Sequence, residues 1–155
     1  IIPTCDSDGK LNYFVGRDID NSKLKYKNPP VSKDVIGFEL FINWDLPIVL
    51  CEGVFDAIAI KRNAIPLFGK TIPRKLLKKI IENGVSKITI VLDSDATIDL
   101  VKLTQKLKSY GVECNIVPLK NGDPSEIGFE KITRKIMNSS SLKFIDEVKF
   151  KMDSI

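Results

Sequence analysis

The chain has 155 residues, of which 43% are hydrophobic and 28% charged, and its net charge is +4 at pH 7. That length suits one domain with a small appended part, and the composition supports a packed core rather than a disordered chain. Histidine is absent, which excludes Ser-His-Asp and Cys-His catalysis and histidine metal ligands within the chain.

Three cysteines, Cys5, Cys51 and Cys114, stand far apart with no Cys-x-x-Cys pair, so neither a disulfide framework nor a zinc site is expected. Cys51 and Cys114 lie in apolar runs and read as small core hydrophobes. No apolar run approaches the roughly 20 residues that cross a bilayer, no signal peptide is visible, and a reducing cytoplasm is the expected compartment. A start at Ile1-Ile2-Pro3 rather than Met suggests a piece of a longer protein.

From the N-terminus, residues 1–5 and 11–17 are β-prone runs around the turn Asp6-Ser7-Asp8-Gly9, a hairpin signature. Residues 21–32 are polar, basic and broken by Pro29-Pro30, and read as a loop. In residues 34–44, Val35, Phe38 and Ile42 have helical spacing around Gly37, which predicts a short amphipathic helix. The rhythm then changes. Short apolar runs at 48–51, 65–68, 88–92 and 112–119 alternate with helical patterns at 55–62, 73–82, 99–110 and 129–137. Strand alternating with helix predicts a parallel sheet with helices on both faces. Residues 138–155 form a weaker tail, a last helix or a linker. The division that follows is a basic hairpin and loop part over 1–46, an α/β domain over 47–137 and the tail.

In open α/β sheets, ligands bind beyond the carboxyl ends of the strands. Glu52, Gly53 and Asp56 follow the first parallel strand, Asp93 and Asp95 follow the third, and Asp123 follows the fourth. Asp93 and Asp95, two apart in extended chain, point the same way. Singly, each acid is as well explained as a turn former, a cap or a helix-start acid. Jointly, such acids at one sheet edge need a counter-charge, and oxygen donors suit Mg²⁺ or Mn²⁺. On the N-terminal side Lys10, Arg17, Lys23, Lys25, Lys27 and Lys33 are interleaved with Tyr13, Phe14 and Tyr26. That segment is either a nucleic-acid surface or a solvated hairpin with ordinary core aromatics. Lys75, Lys78 and Lys79 read as a solvated helix face, and Trp44 as packing.

Residues 48–56, Ile-Val-Leu-Cys-Glu-Gly-Val-Phe-Asp, resemble the Glu-Gly-x-x-Asp motif of TOPRIM domains, and Asp93-Ser94-Asp95 resembles their Asp-x-Asp motif. Gly16-Arg17, then Lys25-Tyr26-Lys27-Asn28-Pro29-Pro30, and later Gly122-Asp123-Pro124-Ser125-Glu126 resemble the flanks of that domain in bacterial and bacteriophage DNA primases. The turn Phe68-Gly69-Lys70-Thr71 is similar to its phage form. The resemblance spans roughly residues 1–137. It implies a Rossmann-like TOPRIM sheet preceded by a small basic hairpin subdomain. It implies nucleotidyl transfer that makes short RNA primers on single-stranded DNA from ribonucleoside triphosphates, beside a replicative helicase. Glu52, Asp93 and Asp95 would be catalytic and bind two or more Mg²⁺ or Mn²⁺ ions, with Asp56 and Asp123 supporting or sharing them. Arg17, Lys25, Asn28 and Lys70 would contact template or nucleotide. Position 125 is Ser where many members carry a second acid. The family's zinc module and any helicase motif are not present, so no zinc is expected here.

Three rival readings stand beside it. Asp93-Ser94-Asp95-Ala96-Thr97 fits the Asp-x-Asp-x-Thr of haloacid-dehalogenase-like phosphatases, where the first Asp is a nucleophile. However, two strands precede it, and Ile127 stands where that family's later acid belongs. A TOPRIM nuclease or topoisomerase and a non-catalytic TOPRIM DNA-binding scaffold share the central motifs; the primase-like flanks argue against the first, and the intact acidic set, testable by divalent-metal titration, against the second. Gly69-Lys70-Thr71 is not the end of a P-loop, because position 64 is Ala.

Overall fold

In the computed structural model, residues 1–20, 25–61, 63–93, 97–119 and 122–141 are described. The first sheet is antiparallel, in the order β1 (Ile2–Cys5), β2 (Leu11–Arg17), β3 (Tyr26–Lys27). The expected hairpin is present. Asp6 closes its turn by accepting from the N–H groups of Asp8 and Lys10 at 3.0 and 2.9 Å. The loop expected over 21–32 is corrected in part, since Tyr26 and Lys27 pair with Arg17 and Gly16 as a third strand. Two residues are too few to show a period, so that strand left no pattern to read.

The helix expected over 34–44 does not form. A 3₁₀ turn at Glu39–Phe41 stands there, entered through Phe38 in the left-handed region at φ 58° and left through an extended Ile42. The apolar side chains of this segment serve different clusters. Ile36, Ile42 and Trp44 pack with one face of the second sheet, while Val35 and Phe38 pack with the hairpin. One helical stripe cannot point at both, so tertiary packing overrides the local pattern.

The second sheet has the order β5-β4-β6-β7-β8. Its elements run in chain order: β4 (Ile48–Cys51), α1 (Val54–Ile60), β5 (Ala64–Pro66), α2 (Arg74–Glu82), β6 (Lys87–Val91), α3 (Thr97–Lys108), β7 (Glu113–Ile116), α4 (Pro124–Ile127), α5 (Phe129–Met137) and β8 (Ser140–Ser141). The first four strands of this sheet are parallel, and β8 adds an antiparallel edge. Alternation along the strands assigns the faces. Ile48, Leu50, Ile88 and Ile90 bury against Leu76, Ile80, Leu103 and Leu107 of α2 and α3. Val49, Cys51 and Val91 bury against Ala57, Ile60 and Ile132 of α1 and α5. Every β4 residue is buried, as a central strand covered on both faces requires. Helix α4 and strand β8 were not foreseen, and residues 142–155 of the expected tail lie outside the described residues. Among the described residues no helix is long and apolar enough to cross a membrane.

The two sheets meet at the carboxyl end of β4 and β5. Tyr13 and Val15 of β2 pack on Val54 and Phe68, and the Tyr13 and Phe68 ring centroids are 4.7 Å apart. Asn12 adds a polar tie, its Nδ2 donating to the Ile36 carbonyl at 3.0 Å. At Gly16 the backbone of β3 comes so close that a Cβ would stand 2.6 Å from the Lys27 carbonyl oxygen. Gly16→Ala is therefore expected to cost about 1–3 kcal/mol, as overpacking does. It should speed hydrogen exchange at Tyr26 and Lys27, whereas unchanged exchange there would show that β3 does not depend on this close approach.

Candidate functional site

A cleft of about 370 Å³ opens where the hairpin sheet faces the carboxyl ends of β4 and β6. One wall carries Glu52, Asp56, Asp93, Asp123 and Ser125, and the other carries Arg17, Tyr26, Asn28 and Lys33. Register explains the acidic wall. Cys51 is level with Val91 across β4 and β6, so Glu52 and Asp93 emerge within one residue of the same height.

Local structure fixes each acid. The Cys51 and Glu52 carbonyls accept from the N–H groups of Leu67 and Gly69, at 2.9 and 3.3 Å. Phe68, between those two donors, is held in the left-handed region at φ 56°, and such backbone strain concentrates at functional sites. Asp56 lies in the first turn of α1, where its Oδ2 accepts from the Gly53 N–H at 2.9 Å. A Cβ at Gly53 would stand only 3.3 Å from that oxygen, so the tight turn after Glu52 suits glycine. Asp123 caps α4. Its Oδ1 accepts from the Glu126 N–H at 2.9 Å and from the Ser125 hydroxyl at 2.6 Å. Ser125 thus braces Asp123.

Burial dominates the electrostatics of the wall, and like charge adds to it. Burial pushes the Asp56 carboxyl up to about 7. The Gly53 N–H opposes that rise, and the negative charges of Asp93 and Asp123 add to it. For Asp123, burial also acts upward. The Ser125 hydroxyl, the N–H groups of Glu126 and Ser125, and the nearby Arg17 outweigh it and hold the carboxyl below its ordinary value. Glu52 Oε2 and Asp93 Oδ1 are both buried. The donor set, all carboxylate oxygen, is of the kind that hard divalent cations prefer. As they stand, no three acidic or cysteine side chains among the described residues converge closely enough to hold an ion. Asp95 lies outside the described residues.

The basic wall is assembled by β3. Pairing of Arg17 with Tyr26 brings Tyr26 and Asn28 to the cleft. The Arg17 guanidinium carbon lies 4.9 Å from the Phe55 ring centroid and 5.6 Å from that of Tyr26. Lys33 also lines the cleft, and its Nζ donates to the Phe68 carbonyl at 3.0 Å. Neither Lys33 nor Phe55 was singled out by sequence reasoning as a site residue. Lys33 was visible only as one of six basic residues, and Phe55 only as a variable position inside Glu-Gly-x-x-Asp. Lys25 and Lys70 are not among the residues lining the cleft. Lys25 is exposed, with its Nζ 5.8 Å from the Tyr26 centroid, and Lys70 is half-buried beyond Gly69.

The raised Asp56 value fixes the sign of a pH effect. The folded chain protonates this carboxyl near 7, against about 3.9 in an unfolded chain. Ionised Asp56 therefore destabilises the metal-free fold above pH 7, and that cost fades as pH falls from about 7 toward 4. Asp56→Asn is expected to raise the thermal midpoint in metal-free buffer at pH 8, with the gain shrinking at pH 5. An equal gain at both pH values would contradict the account of Asp56 as a carboxyl raised by burial.

No protein-family model matches the chain. Over 160 residues it is 28% identical to a DNA primase of Clostridium acetobutylicum, an alignment that takes in 92% of this chain and 27% of the relative. The Aquifex aeolicus primase structure, comprising zinc-binding and RNA polymerase domains, superposes with a TM-score of 0.75 at 26% identity. That match covers 91% of this chain and 40% of that one. A DnaG primase catalytic domain bound to single-stranded DNA superposes with a TM-score of 0.71 at 17% identity, over 98% of this chain and 55% of that one. The chain spans about a quarter of the length of the curated primase it matches. The parallel sheet with its flanking helices and the antiparallel hairpin sheet is the primase catalytic-core fold. On sequence and fold together, the chain is similar to the catalytic core of DNA primases.

Proposed function

We propose that the chain is the metal-binding catalytic region of a DNA primase, which joins ribonucleotides into short RNA primers on a single-stranded DNA template during replication. The observation that carries this reading is one cleft lined by acids from three strand ends and faced by Arg17, Tyr26 and Asn28. A hard cation among crowded carboxylates and a cationic wall for phosphate are what nucleotidyl transfer needs. The primase structure bound to single-stranded DNA supports a template in the same role here.

In this reading Glu52, Asp93 and Asp95 hold two or more Mg²⁺ or Mn²⁺ ions, with Asp56 and Asp123 supporting or sharing them. Bound there, such cations lower the pKa of an attacking 3′-hydroxyl and offset charge developing on the phosphate. The residues of the chain do the rest. Strands β4 and β6 fix Glu52 and Asp93 at one height, and Asp56 holds the turn that aims Glu52. Arg17 and Asn28 donate to phosphate oxygens, while Lys25 and Lys70 contact template or incoming ribonucleoside triphosphate. Residues 1–46 serve as the basic hairpin part, 47–137 as the metal-binding domain and 138–155 as the connection onward. A replicative helicase partner and the cytoplasm complete the assignment.

The test is primer synthesis by the full-length parent, with single-stranded DNA, labelled ribonucleotides and Mg²⁺ or Mn²⁺. Asp93→Asn and Asp95→Asn are each expected to abolish synthesis with little change in the thermal midpoint. Wild-type levels of synthesis by either variant would overturn the assignment.

A further inference from the structure

We propose that Phe55 is a positioning residue that holds the Arg17 guanidinium over the cleft. This inference deepens the primase reading and rests on it. Phe55 lies in the first turn of α1, immediately before Asp56, and it is half-buried. Its ring centroid is 4.9 Å from the Arg17 guanidinium carbon, closer than the 5.6 Å to the Tyr26 ring. Arg17 is the last residue of β2 and is exposed. A long side chain at a strand end samples many rotamers unless something orders it. A planar guanidinium stacks on aromatic faces and keeps its N–H donors directed outward from its edge. The two rings come from different elements, Phe55 from the first turn of helix α1 and Tyr26 from strand β3 of the hairpin sheet. Held against these two rings, Arg17 keeps a cation in the cleft that Asp93 and Asp123 also line.

The chemistry that recognises such a cation is a phosphate oxygen, in the backbone of a template strand or in the triphosphate of an incoming nucleotide. Pre-ordering the guanidinium removes an ordering cost at the moment of binding. The side chain at position 55 thus acts through Arg17 without touching the reacting atoms. Leu at this position fills much of the same space but offers no ring face, whereas Tyr keeps the face.

The test has two readouts in the full-length parent. The first is the NMR signal of the Arg17 side chain. Ring currents are expected to displace its Nε–H and Cδ–H resonances in the wild type. Phe55→Leu should reduce the displacement to the part that the Tyr26 ring contributes, and Phe55→Tyr should retain it. The second readout is a double-mutant cycle of Phe55→Leu with Arg17→Ala, measured as the Kd of a short single-stranded DNA and, in a separate arm, of a ribonucleoside triphosphate. Phe55→Leu should weaken at least one arm roughly two- to five-fold, the size of an exposed cation–π contact. It should have no further effect once Arg17 is Ala, and the arm that responds identifies the phosphate. Arg17 resonances unmoved by Phe55→Leu, or equal losses with and without Arg17, would overturn the proposal. A wild-type parent that makes no primers would instead sink the primase reading and leave the resonance result standing by itself.

Discussion

The cleft depends on one apolar seam. Tyr13 and Val15 of the hairpin sheet seal against Phe68 and Val54 of the parallel sheet, and this contact decides which surfaces face each other across the acids. The hairpin sheet alone is three short strands with little to bury, and such a sheet needs a partner surface to be stable. The parallel sheet alone would present its carboxylates to open water. Packed together, they enclose a space whose two walls have opposite charge. Phe68 is the keystone. Its ring meets Tyr13, its carbonyl receives Lys33, and the N–H groups on either side of it tie to the Cys51 and Glu52 carbonyls. The left-handed backbone at Phe68 is held by packing on both sides, as a strained residue must be.

Electrostatics then supplies the function that packing alone does not. Burial at the strand ends raises the proton affinity of Asp56, and the charges of Asp93 and Asp123 add to that rise. Such a cluster is costly in the free protein and relaxes when positive charge enters. Arg17 on the basic wall supplies one positive charge, and the proposed divalent cation would supply another on the acidic wall. Asp123 sits between these influences. Its oxygen is committed to the cap of α4 and to Ser125, and Arg17 helps to hold it ionised.

Much of this was legible in the sequence because strands buried on both faces leave short, nearly unbroken apolar runs. The four parallel strands and the helices between them were visible in that way, and so was the placing of Glu52, Asp56, Asp93 and Asp123 beyond the strand ends, where they line one cleft. What escaped was structure created by tertiary contact. The segment 34–44 has helical spacing, yet Ile36 and Phe38 are drawn into different clusters and the helix does not form. Strand β3 is two residues long and exists because β2 offers it an edge. Its consequence, Tyr26 and Asn28 entering the cleft, could not be seen from periodicity. The contact of Phe55 with Arg17 joins positions 38 apart in sequence, and no local pattern encodes it. Asp95, which the motif makes as important as Asp93, lies outside the described residues.

The central claim is that these acids share divalent cations at the carboxyl end of the parallel sheet. Anomalous diffraction from crystals of the chain equilibrated with Mn²⁺ tests it most directly. The account predicts a manganese peak inside the cleft, within coordination reach of Glu52 and Asp93. Full diffraction with no peak there, or with manganese bound only elsewhere on the surface, would contradict it.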